Sequence, residues 1–122
     1  MNSDVNPHSW KTPEFFEGVV AEVLDELPDE IYDRLDNLTI VVEECDTDNA
    51  DLLGLFEGVS LLDRGIDYAG VLPDRISIYV NAHLALGLDR QETVTEIRRT
   101  VLHEIAHHLG IDERRLHELG WS

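Results

Sequence analysis

Phe16, Val20, Val23, Leu24 and Leu27 recur at helical spacing through an otherwise acidic stretch, which predicts a helix burying one face. Thr12-Pro13-Glu14 marks its start: threonine can accept a hydrogen bond from the first turn, and proline lacks only an N–H that has no helical partner there. Pro28 interrupts the pattern, and PDEIYDRLDN predicts a second, short helix. The period then shortens to two. LTIVVEE (38–44) is rich in β-branched residues and predicts a strand. GLFEGV (54–59) predicts a short strand between glycines, at a sheet edge. ISIYVN (76–81) alternates Ile76, Ile78 and Val80 with Ser77 and Tyr79, so one face is apolar. DTDNADLLG and LLDRGIDYAGVLPDR read as loops, and AHLALG as a short helix or turn. From Asp89, which forms a capping box with Glu92, the helical period returns and runs to Leu109. Gly110 is its natural stop, and a last short helix follows from about Asp112. Residues 1–11 read as a flexible N-terminal arm and residues 12–122 as a single domain.

Charge narrows the partners. With 26 acids against 9 bases the net charge is −17, which repels nucleic-acid phosphates and anionic lipid surfaces. Hydrophobic residues make up 43% of the chain, enough for a core. Cys45 stands alone, so no intramolecular disulfide can form, which suits a reducing compartment. The start, MNSDVNPHSWK, has no apolar run after a basic segment, and no stretch reaches membrane-spanning length. A soluble, cytoplasmic protein is expected.

The long C-terminal helix carries the chemistry. On a wheel of about 100° per residue, Val94, Ile97, Val101, Ile105 and Leu109 form one stripe, which should pack on the sheet. His103 and His107 fall on the opposite side, one turn apart, where both rings can reach one ion; two imidazoles are a usual half of a zinc site. Glu104 stands beside His103, placed to deprotonate a water. This is the HExxH pattern, two ligands at i and i+4 with a carboxylate base. His108 falls on the apolar stripe and reads as a core-facing histidine that supports the site through a hydrogen bond.

A catalytic zinc takes three protein ligands and keeps one open position. Gly110 breaks the helix just after His107; in metzincins, which this motif resembles, a glycine turn at this place swings the chain back toward the metal. The pattern HExxHxxGxxE places Glu113 at the third position; Asp112 beside it and Glu118 on the following helix are the alternatives. His117 reads as exposed. DTDNADLLGLFE does not make a calcium loop, because Ala50 and Asp51 stand where a ligand and a glycine are needed.

RRTVLHEIAHHLGIDERRLHELGW resembles the small bacterial zincin-like metallopeptidases, the minimal zincins. Upstream, LLGLFEGVSL and GVLPDRISIYVNAHL resemble that family's strand regions, so the likeness covers most of residues 12–122. It implies an α+β fold: a compact minimal zincin-like domain, with a small three- to four-stranded sheet packed on an active-site helix, and N-terminal helices. It implies metal binding by His103, His107 and an acidic residue at Glu113, with Glu104 as base. The family usually has aspartate in place of Glu113 and tyrosine in place of Trp121. The methionine turn that metzincins carry beneath the metal is absent, as the minimal-zincin resemblance implies, since the sole methionine is Met1; Trp121 is the candidate to pack under the metal-binding side chains instead. A second resemblance, to ribosomal-RNA-processing hydrolases with H-x3-H-x5-H, lacks both the last histidine and support from the charge.

The expected function is a Zn2+-dependent metallopeptidase that hydrolyses peptide bonds through a metal-activated water. The substrate would lie extended along GLFEGV, with Tyr68 a candidate to help the oxyanion. The alternative is a non-catalytic zincin-fold domain that regulates or binds a partner. Expected partners are a peptide or protein substrate, with no nucleic acid and no membrane; a homodimer stays open.

Overall fold

The structure, a computed structural model, describes residues 10–58 and 74–119, apart from the side chains of Glu113, Leu116 and Leu119. Most of the expected arm, the loop that holds Tyr68, and Trp121 lie outside the described residues. Helix α1 (Pro13–Asp25) begins where its cap predicts: Thr12 Oγ1 accepts the Phe15 N–H at 3.2 Å. Helix α2 is shorter than expected, Asp29–Tyr32. The chain leaves it through turn hydrogen bonds to Ile31 and Tyr32 and passes Asn37 at φ 65°, a left-handed conformation that asparagine tolerates.

Among the described residues three strands follow: β1 (Leu38–Glu43), β2 (Gly54–Glu57) and β3 (Asp74–Tyr79). Their order is β1-β3-β2, with β3 parallel to β1 and antiparallel to β2. The register aligns Ile40 with Ile76, Val42 with Ile78, and Phe56 with Ile76, so these apolar residues share one sheet face. Strand β3 differs from its expected span at both ends. Asp74 and Arg75, read as loop from sequence, pair with Leu38 and Thr39 and start the strand early. It ends at Tyr79 because Val80–Leu84 forms helix α3. Ser77 and Tyr79, which alternate with the apolar face, are buried as well. They are satisfied there: Ser77 donates to Glu43 Oε1 at 3.2 Å and Tyr79 to Asp46 Oδ1 at 3.3 Å. Burial raises the Tyr79 phenol above its usual pKa.

Helix α4 (Arg90–Leu109) spans the fold, and α5 (Glu113–Leu119) follows it. Helix α1 packs on β1 and α4, and α4 packs on β2 and β3. Phe16, Val20 and Val23 of α1 meet Ile76, Ile78, Ile97, Val101 and Ile105 in one core. Each fully buried side chain of this size stabilises by about 1.5–3 kcal/mol relative to exposure. Among the described residues, no helix is long and apolar enough to cross a membrane.

Candidate metal centre

The capping box predicted for α4 is present: Asp89 Oδ1 accepts the Glu92 N–H at 2.8 Å, and Glu92 Oε1 accepts the Asp89 N–H at 3.1 Å. At the other end Gly110 adopts φ 73°, the left-handed conformation that lets the chain turn off the helix. Between these ends the apolar stripe lies as the wheel predicts. Ile97, Val101 and Ile105 are fully buried, and Val94 and Leu109 pack partly against the core.

His103, Glu104 and His107 project from the same helix, and their donor atoms all lie within 4.8 Å of one another. The two imidazoles stand with ring centroids 4.6 Å apart. His103 is half-buried, His107 exposed and Glu104 buried. Glu104 Oε1 accepts the His107 Nδ1–H at 3.2 Å, which fixes that ring and leaves its Nε2 lone pair for another partner. Two imidazoles and a carboxylate converging at one place form a donor set that suits a divalent metal ion.

Strand β2 covers this part of the helix. A Cβ on Gly54 would lie 2.6 Å from Thr100 Cγ2 and 3.3 Å from Glu104 Cγ, so only glycine permits the observed approach. Phe56 makes T-shaped ring contacts with His107 and His108, with centroids 6.4 and 6.1 Å away. Beside the triad opens a groove of about 500 Å³, with Leu52, Leu53, Thr100, His103 and Glu104 in its walls.

His108 does not join the cluster. Its Nδ1–H donates to Asp74 Oδ2 at 2.6 Å, and Nε2 lies 3.4 Å from the Arg34 carbonyl oxygen. The ring thus ties the end of α4 to the start of β3. Asp112 caps α5 by accepting the Arg115 N–H at 2.9 Å, and the exposed Glu118 lies 3.8 Å from Arg115. Neither belongs to the converging donor group. Glu113 opens α5, three residues past the glycine turn, and its side chain is outside the described part of the structure. His117 is exposed, as read from sequence. The acidic loop after β1 turns on its own side chains: Asp46 Oδ2 accepts the N–H groups of Asp48 and Asn49.

Three residues near the site escape sequence reasoning. Gly54 and Asp74 act through partners distant in the chain. His83 is fully buried behind α4, where its Nδ1–H donates to the Tyr79 carbonyl at 2.7 Å and its Nε2 meets Thr100 Oγ1 at 3.0 Å. Burial lowers its pKa below the usual imidazole value. The Thr100 hydroxyl donates to the Glu96 carbonyl at 2.9 Å. The signal available was a histidine set in the apolar run NAHLAL.

A family model described as zincin-like metallopeptidase matches residues 35–121. Among solved structures, a conserved hypothetical protein from T. thermophilus is similar, with a TM-score of 0.60 and 22% identity. The match covers 81% of this chain and 94% of that one, and at this identity it speaks for the fold alone. No curated protein matches the chain.

Proposed function

The chain belongs to the zincin-like metallopeptidase family, and from that premise we propose that it is a zinc-dependent peptidase. The observation that carries this reading is the convergence of His103, Glu104 and His107 within 4.8 Å on one helix face. His103 and His107 would hold the ion by their imidazoles. Glu113 is the proposed third ligand, because the left-handed turn at Gly110 redirects the chain just before it. Asp112 is the weaker candidate, since its carboxylate already caps α5. Zinc held there would supply Lewis acidity, bringing the pKa of water down to about 7 and polarising a carbonyl.

The remaining steps belong to the chain. Glu104 takes a proton from the attacking water as its oxygen bonds to the peptide carbonyl carbon. The same carboxylate then gives that proton to the departing amine nitrogen as the C–N bond breaks. Burial of Glu104 under β2 holds the carboxylate at the site. The substrate would add as a strand to the outer edge of β2, with side chains entering the groove beside Leu52 and Leu53.

The test is turnover of a mixed peptide library by zinc-loaded protein. Cleavage that stops in His103→Ala supports the proposal. A zinc-loaded wild type that leaves every peptide intact would instead favour a non-catalytic domain that retains the metal.

A further inference from the structure

A second groove, of about 660 Å³, runs along β1, at the sheet edge opposite β2. Its apolar lining comes from Val20 and Leu24 of α1, from Leu35, and from Leu38, Ile40 and Val42 on the inner face of β1. All but Val20 are only half-buried, and Tyr32 beside them is 54% exposed. Among the described residues β1 pairs with β3 alone, so its other edge keeps backbone N–H and carbonyl groups facing outward. An apolar trough beside a free strand edge suits strand addition. Main-chain hydrogen bonds hold the incoming segment, and its alternate side chains enter the trough.

Charge selects the occupant. Glu17, Asp33 and Asp36 stand on the rim. From Pro13 to Asp36 the chain carries nine acids against Arg34 alone. A second copy would set the same acids against each other on chains of net charge −17. We propose that the β1 edge docks an extended, basic segment of a partner protein. Its alternate apolar residues would cover Leu38, Ile40 and Val42, and flanking Lys or Arg residues would meet the acidic rim. This surface lies at the opposite sheet edge from the metal centre, and the proposal does not depend on peptidase activity.

The test is selection of random nonapeptides displayed on phage against the full chain, followed by chemical-shift mapping of the best binder as a free peptide. Three results together support the proposal. The enriched peptides carry alternating aliphatic residues flanked by Lys or Arg. Their shifts fall on Leu38–Glu43 and Leu24. The exposed double variant Asp33→Lys/Asp36→Lys binds about tenfold more weakly. Failure to enrich any peptide, enrichment without basic residues, shifts centred on β2 or α4, or undiminished binding by the double variant would overturn it. Hydrogen exchange on the free full chain is the second measurement. Outward amides of β1 protected as well as those of β3 would also overturn the proposal, because the chain's own residues would then fill that edge.

Discussion

A Cβ on Gly54 would meet Thr100 Cγ2 at 2.6 Å and Glu104 Cγ at 3.3 Å, so β2 touches α4 at the carboxylate proposed as the base. Gly54→Ala must push strand and helix apart, and overpacking of this kind costs about 1–3 kcal/mol. Displacing a reacting group by an ångström can cost about a hundredfold in rate. The expected outcome is a lower urea midpoint and a fall in kcat that exceeds any rise in KM. Unfolding curves and steady-state kinetics of the zinc-loaded variant would show both. His83 carries a pH effect. Its folded-state pKa is depressed by burial below the unfolded value of 6.5, so the unfolded chain takes up the proton first as pH falls. Stability from this group is therefore complete above the unfolded pKa and is lost as pH drops toward the folded value. Thermal unfolding of wild type should show a steeper loss below neutrality than His83→Gln; equal slopes would contradict that role. His103, Glu104 and His107 were legible because their spacing is local to one helix. The wheel also turned His108 inward to a hydrogen bond, but the partners of His83 and His108 were not legible, since Thr100 and Asp74 lie 17 and 34 residues away.

Helix α4 shows which boundaries a sequence can announce. Its capping box and its left-handed glycine are local chemistry, and both ends fall where the residues predict. Strand β3 shows the opposite. Its start is set by pairing with Leu38 and Thr39, and its end by the helix at Val80, neither of which is written in the alternation itself. The wheel found the stripe of Ile97, Val101 and Ile105 but not the burial of Thr93, Thr100 and Glu104. A single stripe describes a helix covered on one side, whereas α4 is packed by α1, α3, β2 and β3. Thr93 marks a cost of that coverage, because its Oγ1 is buried with no hydrogen-bond partner among the described residues. Thr93→Val keeps the shape and removes the orphan hydroxyl, so the variant should be unchanged or about 1 kcal/mol more stable in thermal unfolding.

At the scale of the whole molecule, the two sheet edges of the described residues frame two different surfaces. The β2 edge overlies the histidine cluster, and the β1 edge borders an apolar groove under an acidic rim. The α+β class, the small sheet and the family were legible because helix caps, strand alternation and the HExxH motif all agree on one fold. The identity of the third ligand was not, because it depends on how a turn after Gly110 delivers one of three carboxylates. The central claim is that Glu104 is the base and that the two histidines hold the metal. Zinc content and peptide turnover of Glu104→Gln, measured on one preparation beside the wild type, test it most directly. The account predicts equal zinc in both proteins and turnover reduced at least about a hundredfold in the variant. Zinc lost along with the carboxylate, or turnover retained without it, would contradict the account.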